Sequence, residues 1–106
     1  MVFKAWTVND KLYYTKYKFY SPNKNSKTES PNIIITPALA VDYKGHRIGY
    51  GGGFYDRYYN KNKTAVYIGF TYSNQVFNTL PFTKHDLKLN AIVTEKFVKE
   101  IKINPQ

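Results

Sequence analysis

The sequence of 106 residues contains no cysteine and no long apolar run. The missing thiols exclude disulfide staples, a thiolate nucleophile and a zinc–thiolate centre within this sequence. No stretch approaches the roughly 20 apolar residues that a membrane-spanning helix needs. The first ten residues also lack the basic-then-apolar order of a secretion signal. These absences predict a cytoplasmic protein with no membrane partner.

Acidic residues and arginines are both scarce. Seven acidic against 16 basic residues leave a formal net charge of +9, which can attract nucleic acid, anionic membranes or phosphorylated ligands, or can simply reflect a solvated lysine-rich surface. The lysines are scattered, whereas the two arginines, Arg47 and Arg57, both flank one glycine cluster. The planar guanidinium of arginine can bind phosphate or carboxylate through two parallel hydrogen bonds. The restriction of both arginines to one segment therefore favours one local anion site over an extended nucleic-acid-binding surface.

Three short apolar runs indicate the fold class. They lie at residues 33–36, 65–70 and 91–94, and they predict parallel strands because neither face of the runs is polar. Residues 54–60, directly after the glycine cluster, are predicted to form a short helix. This order of strand, loop, helix and strand predicts an α/β protein.

The remaining segments are less regular. Residues 12–20 partly alternate, which predicts extended structure, and residues 21–31 are polar and bounded by prolines, which predicts a surface loop. Residues 43–46 predict a turn, residues 74–84 a loop, and residues 97–103 a final short strand or helix.

Five of the six glycines lie between Gly45 and Gly53. Three consecutive glycines cost backbone entropy on folding and bury no side chain. Between a strand and a helix N-terminus, such a loop can present free N–H groups to an anion, and the two arginines can add charge-assisted bonds. A flexible turn without a ligand is the alternative interpretation.

Two known phosphate-binding motifs do not fit this cluster. A P-loop needs Gly-Lys followed by Ser or Thr, which does not occur, and a G-x-G-x-x-G fingerprint starting at Gly49 would need glycine where Phe54 stands.

Asp56 falls in the first turn of the predicted helix. It is either an acid that complements the helix dipole or a ligand for Mg²⁺ beside phosphates.

The residues around the cluster carry a more specific signal. The stretch 37–57 resembles the signature of the 5-formyltetrahydrofolate cyclo-ligase family, which shows P-x-L-A-F-D and then G-x-R-L-G-x-G-x-G-Y-Y-D. Here Val41 replaces Phe, and Phe54 replaces the first Tyr. Residues 80–95 resemble a second family block, V-P-x-x-x-H-D-x-x-L-D-x-I-V-T-E, with Asn90 in place of Asp. Residues 1–6 resemble a weaker M-x-F-x-x-W element.

The resemblance implies a three-layer, Rossmann-like sheet flanked by helices, incomplete relative to the family. It also implies an enzyme that uses ATP and Mg²⁺ to convert 5-formyltetrahydrofolate into 5,10-methenyltetrahydrofolate, by phosphoryl transfer to the formyl oxygen and ring closure. The folate and ATP are then the partners of the chain.

The matching positions imply roles for individual residues. The implied ATP-binding residues are Arg47, Ile48, Gly49, Tyr50, Gly51, Gly52, Gly53, Phe54 and Tyr55. The implied substrate-binding residues are Trp6, Tyr50, Gly51, Gly52, Gly53 and Phe54. The implied catalytic residues are Arg47, Tyr55 and Asp56, and the implied Mg²⁺ ligands are Asp56 and Asp86. His46 is predicted to be a solvated turn residue, and His85 either orients its neighbours or is a plain loop residue.

The resemblance also implies that residues 1–106 are the C-terminal part of a single domain. The family's N-terminal half, which brings a Lys/Arg cluster to the ATP phosphates and a glutamate to the folate, finds no match. A separate N-terminal fragment or self-association is therefore expected to cover exposed apolar surface, and the chain alone is expected to show little activity. Two alternatives stay open: a catalytically dead remnant of the family, or a basic, aromatic-rich nucleic-acid-binding module, which leaves the clustering of glycine, arginine and Asp56 unexplained.

Overall fold

The computed structural model describes residues 1–16 and 20–101. By its contacts, the chain divides into two compact units, Met1–Pro31 and Asn32–Gln106. Residues 17–19 of the segment predicted to be extended, and residues 102 and 103 of the predicted final element, lie outside the described residues. Within those residues, no helix has the length and apolar character needed to cross a membrane.

Among the described residues, the first unit contains four strands of two residues each. They are β1 (Phe3–Lys4), β2 (Tyr13–Tyr14), β3 (Tyr20–Ser21) and β4 (Thr28–Glu29). β1 pairs with β4 and β2 pairs with β3, both antiparallel. The prediction of a surface loop at 21–31 is therefore incomplete, because its last part pairs with β1. Lys4 Nζ donates to Thr28 Oγ1 across that pair at 2.8 Å.

The second unit contains the predicted α/β elements. In chain order these are β5 (Ile33–Pro37), β6 (Ala40–Asp42), β7 (Arg47–Ile48), α1 (Phe54–Lys61), β8 (Val66–Phe70), a 3₁₀ turn (Ser73–Gln75), β9 (Val76–Phe77), β10 (Ala91–Val93) and β11 (Val98–Glu100). The short strand β9 and the 3₁₀ turn occupy part of the segment predicted to be a plain loop at 74–84.

The main sheet confirms the three predicted parallel strands. Its order is β11-β10-β8-β5, with β5, β8 and β10 mutually parallel and β11 antiparallel to β10. A second sheet, β7-β6-β9, was not predicted; β7 pairs antiparallel with β6, and β9 pairs parallel with it. The chain is thus mixed α/β as predicted, while a Rossmann-like layering stays a prediction.

The inner face of the main sheet holds the core of the second unit. Ile34, Tyr67 and Ile92 come from the three parallel strands and are buried together with Leu87 and Leu89, which precede β10. The Tyr67 hydroxyl donates to the Asn62 carbonyl at the end of α1, at 2.8 Å. Burial of an aromatic ring and satisfaction of its hydroxyl therefore fix the helix end to the sheet.

The outer face of the same sheet is apolar and exposed. Its exposed side chains are Ile33 (60%), Ile35 (50%), Val66 (40%), Phe70 (47%) and Val98 (74%). The lack of a polar face at residues 33–36 is typical of a strand buried on both sides, but the outer face of this strand is exposed. Parallel sheets are normally covered on both sides, so this face has the composition of an interior and the exposure of a surface.

The two faces of β5 give a matched test of this arrangement. Ile34→Ala removes a buried side chain and should lower the free energy of unfolding by about 2–5 kcal/mol. Ile33→Ala, one residue away, should cost well under half as much, because that side chain is 60% exposed. Denaturant unfolding of both variants measures the difference. If Ile34→Ala does not fold, Ile34→Val should still cost about 0.5–1.5 kcal/mol, and equal losses for Ile33 and Ile34 would contradict the assigned faces.

Candidate active site

The glycine cluster forms a loop between β7 and α1, as predicted. Gly53 is the residue before the helix and has φ 68°, in the left-handed region. A side chain in that conformation costs about 1–2 kcal/mol, so glycine suits the position. Asp56 lies in the first helical turn, and the N–H of Arg57 donates to the Gly53 carbonyl at 3.0 Å.

A cleft of about 460 Å³ opens beside this loop. Its lining residues are Pro37, Arg47, Ile48, Gly49, Tyr50, Gly51, Gly52, Gly53, Phe54, Tyr55, Asp56, Pro81 and Asp86. All the residues implied for ATP and Mg²⁺ therefore share one cleft. Trp6 belongs to the first unit, where it lines a pocket of about 250 Å³ and its Nε1 donates to the Asp10 carbonyl at 3.0 Å.

Arg47 is buried at the floor of the cleft. Its Nη1 donates to the Pro37 carbonyl at 3.0 Å, its Nη2 lies 3.5 Å from Asp56 Oδ1, and its guanidinium lies 5.7 Å from the centre of the Tyr55 ring. The Nε of this side chain has no hydrogen-bond partner among the described residues. Arg47 thus ties the end of β5 to the start of α1. By contrast, Arg57 is exposed and stacks over Phe54, with its guanidinium carbon 5.0 Å from the ring centre.

The two aspartates implied for Mg²⁺ reach the cleft from different segments. Asp56 Oδ1 accepts the N–H of Leu87 at 2.8 Å, which joins α1 to the residue next to Asp86. Asp86 caps a turn, because its oxygens accept the N–H and the hydroxyl of Thr83 at 2.9 and 3.1 Å. The described residues contain no group of three or more His, Cys, Asp or Glu side chains placed to hold a metal. Whether the pair holds Mg²⁺ stays a prediction.

A second cavity, of about 770 Å³, was missed by sequence reasoning. Its lining residues are Ala38, Leu39, Tyr50, Phe70, Thr71, Tyr72, Gln75, Val93, Thr94 and Glu95. Most of them follow the carboxyl ends of β5, β8 and β10, the edge at which open α/β sheets bind ligands. The strand ends were therefore an available signal. Tyr50 lines both cavities.

Glu95 is held in place at the rim of this second cavity. Its carboxylate accepts the N–H and the hydroxyl of Ser73 at 2.7 and 2.8 Å. These hydrogen bonds lower the pKa of Glu95, and the nearby Lys96 adds a smaller effect in the same direction. The side chain therefore presents a negative charge at neutral pH.

Asp42 is the aspartate of the first signature element, P-x-L-A-F-D, and it has a structural role. Its side chain is fully buried, and its oxygens accept the N–H groups of Lys44, His46 and Leu80 at 2.9, 2.9 and 3.0 Å. Burial alone would raise the pKa of Asp42, but the hydrogen bonds from His46, Leu80 and Lys44 outweigh it and hold that pKa below its usual range.

The prediction of a solvated His46 is wrong. Only 9% of His46 is exposed, and its Nδ1 lies 2.9 Å from Asp42 Oδ2. Since a carboxylate can only accept, Nδ1 carries the proton. The imidazole also stacks on Phe82, with centroids 3.8 Å apart and planes 5° apart. His85, by contrast, is exposed, and its carbonyl accepts Asn60 Nδ2 at 2.7 Å.

The profile of the 5-formyltetrahydrofolate cyclo-ligase family matches residues 2–95. The chain belongs to this family. It is 31% identical over 107 residues to the 5-formyltetrahydrofolate cyclo-ligase of Escherichia coli (strain K12), covering 94% of this chain and 58% of that protein. It is 36% identical over 66 residues to the enzyme of the same name from Mycolicibacterium smegmatis, covering 61% and 34%.

A solved family structure agrees with the fold. The NMR structure of Aquifex aeolicus 5,10-methenyltetrahydrofolate synthetase superposes with a TM-score of 0.74 at 29% identity, covering 94% of this chain and 52% of that one. The chain therefore spans little more than half the length of the Escherichia coli relative and of the Aquifex aeolicus chain.

Two glycines in the loop offer a matched test of the link that Arg47 makes between β5 and α1. A Cβ at Gly49 would lie 2.5 Å from Arg47 Nη1, and a Cβ at Gly52 would lie equally close to Phe54 Cε2. Arg47 is buried and tethered, whereas Phe54 is 58% exposed and can rotate away. We expect Gly49→Ala to destabilise the fold by about 1–3 kcal/mol and Gly52→Ala to be close to neutral, measured by denaturant unfolding. A greater loss of unfolding free energy for Gly52→Ala than for Gly49→Ala would contradict the view that the tethered Arg47 side chain limits the space at Gly49.

Proposed function

We propose that this chain carries the phosphate-binding and Mg²⁺-binding part of an ATP-dependent 5-formyltetrahydrofolate cyclo-ligase. The reaction is phosphoryl transfer from ATP to the formyl oxygen, followed by ring closure to 5,10-methenyltetrahydrofolate and loss of phosphate. The observation that carries the proposal is one cleft that joins the glycine loop, Arg47, Asp56 and Asp86. Membership of the family and the names of its relatives supply the substrate.

The glycine loop suits the phosphates of ATP. Within residues 1–16 and 20–101, the N–H groups of residues 49–53 donate no hydrogen bond. The loop also leads into the N-terminus of α1, where the helix dipole favours an anion. Arg47 adds a buried guanidinium to the same cleft, and its Nε has no hydrogen-bond partner within the part of the chain that the structure describes. In this proposal Ile48, Tyr50, Phe54 and Tyr55 form the walls around the phosphates.

The carboxylates suit Mg²⁺ better than a metal that needs a full protein cage. Mg²⁺ takes one or two carboxylates, keeps several waters and completes its shell with phosphate oxygens. Asp56 has one oxygen that is engaged by Leu87 and Arg47 and a second that accepts no hydrogen bond from the described residues. When bound, the ion neutralises the charge of the phosphates. Asp56 and Asp86 are proposed to hold it, with Asp86 also keeping its turn closed.

The second cavity suits the folate ring system. Its walls are largely apolar, and Tyr50 lines both this cavity and the phosphate cleft, so a ring stacked on Tyr50 would lie beside that cleft. Phosphoryl transfer needs positioning and charge neutralisation more than a covalent nucleophile. Arg47, Tyr55 and Asp56 are proposed to supply these. A role of Trp6 in folate binding stays a prediction.

The apolar outer face of the main sheet is proposed to receive the rest of the family fold. The chain spans 58% of the Escherichia coli relative and 52% of the Aquifex aeolicus chain, and a parallel sheet needs a second covering layer. A polypeptide that supplies the remaining family residues would cover Ile33, Ile35 and Val98. Self-association through the same face is the competing arrangement, and a cytoplasmic location is proposed with either.

Binding of Mg·ATP to the isolated chain tests the phosphate site. Asp56→Asn keeps an oxygen that can accept from Leu87 but loses the charge, so we expect affinity to fall by about tenfold or more. Glu100→Gln, an exposed carboxylate on β11, should leave affinity unchanged, as titration calorimetry can establish. Equal binding by wild type and Asp56→Asn would exclude this metal site. Tight, steeply salt-dependent binding of single-stranded oligonucleotide without ATP binding would favour the nucleic-acid alternative.

Turnover tests the proposal that the chain needs the remaining family residues. Each missing preorganised contact typically costs about 10²–10³ in rate, so the chain alone should form almost no methenyltetrahydrofolate from ATP and 5-formyltetrahydrofolate. Addition of the N-terminal segment of a full-length relative should restore measurable product, followed by its absorbance. Fast turnover by the lone chain would contradict this expectation, and no turnover in either case, with Mg·ATP still bound, would indicate a dead remnant.

A further inference from the structure

Pro81 lines the phosphate cleft, and both of its chain neighbours are held by one buried pair of residues. On one side, the N–H of Leu80 donates to Asp42 Oδ2 at 3.0 Å. On the other, the Phe82 ring stacks flat on the His46 imidazole, with centroids 3.8 Å apart. Since proline has no N–H of its own, the position of this wall depends on its neighbours.

The buried pair is itself rigid. Asp42 is fully buried and His46 is nearly so, and the carboxylate accepts His46 Nδ1 as well as the His46 N–H at 2.9 Å each. His46 is followed directly by Arg47, which starts the glycine-loop wall of the cleft. One carboxylate therefore fixes both the approach to Arg47 and the segment that carries Pro81.

We propose that Asp42, His46 and Phe82 act as positioning residues, a clamp that sets the distance between the Pro81 wall and the glycine loop. The inference rests on the proposed function of the cleft as a Mg·ATP site. A clamp of this kind keeps the cleft open at the width of its ligand before binding, which avoids an ordering cost when the ligand arrives. None of the three residues belongs to the roles that the signature motifs imply.

Phe82 is the member that separates positioning from stability. Its side chain is 59% exposed, so truncation removes little buried surface, while it releases one side of Pro81. A residue that served only the stability of the fold would change the unfolding midpoint. A clamp residue should instead change the exchange of the Leu80 amide and the affinity for ligand, with the midpoint nearly unchanged.

The experiment compares Phe82→Ala, Phe82→Tyr and Val8→Ala, an exposed apolar control in the first unit (84% exposed). We expect Phe82→Ala to speed hydrogen exchange of the Leu80 amide, followed by NMR, by about tenfold or more. Its Mg·ATP affinity should fall by about fivefold to tenfold, because the released segment must be ordered again when the ligand binds. Phe82→Tyr, which keeps the ring, should restore both values, and Val8→Ala should change neither.

The two readouts separate the possible failures. If Leu80 exchange stays at the wild-type rate in Phe82→Ala, the clamp does not exist. If exchange rises and Mg·ATP affinity does not change, the pair holds the segment without setting the cleft, and the proposal is wrong. A wild-type chain that binds no Mg·ATP overturns the proposed function, and the Leu80 readout with its rescue by tyrosine still decides whether the clamp exists.

Discussion

The buried carboxylate of Asp42 is the interaction on which the arrangement of the second unit depends. A carboxylate without water is costly unless every lone pair that it exposes finds a donor, and here the donors come from the turn after β6 and from the segment before Pro81. The same turn presents the Gly45 carbonyl to the N–H of Leu89 at 2.8 Å. The small sheet is thereby connected to the entrance of β10 in the main sheet.

That turn also explains why glycine is required at position 45. Gly45 has φ 94°, and a Cβ there would lie 2.7 Å from the Leu89 carbonyl oxygen. Both the backbone conformation and the close approach exclude a side chain. Asp42 closes the turn and Gly45 lets it reach Leu89, so the shape of the cleft also depends on residues that do not line it.

Arg47 lines the cleft, and neighbouring groups hold its guanidinium in place. Two of its nitrogens are directed to the Pro37 carbonyl and to Asp56, and Gly49 lies flat against the guanidinium. Its positive charge is paired with the Asp56 carboxylate at 3.5 Å, so the two charges largely offset each other within the cleft. The implied role of Arg47 in ATP binding stays a prediction, and the geometry shows a side chain that joins β5 to α1.

The sequence allowed prediction of the elements that carry a strong local pattern. Residues 33–36, 65–70 and 91–94 are apolar enough to specify strands, and the glycine cluster specifies the loop into α1. The strands β6, β7 and β9 have only two or three residues, too few for any periodicity. His46 was misjudged because its burial comes from Asp42 and Phe82, contacts that no local pattern records. Exposed apolar surface was expected from the resemblance, but the apolar runs alone could not show which face of the sheet would be exposed, because both faces of these strands are apolar.

The position of β5 in the main sheet has a consequence for the handling of this protein. Among the described strands it pairs only with β8, so one side of an Ile-Ile-Ile-Thr segment presents unpaired backbone groups next to exposed isoleucines. Segments of this composition template the addition of further strands. Pro37 ends the segment with a residue that cannot donate to such a ladder, and the net charge of +9 keeps copies apart by repulsion. Added salt screens the charge repulsion but leaves Pro37 unchanged. The solubility of the chain in concentrated salt therefore measures how well this one proline prevents the addition of further strands to β5.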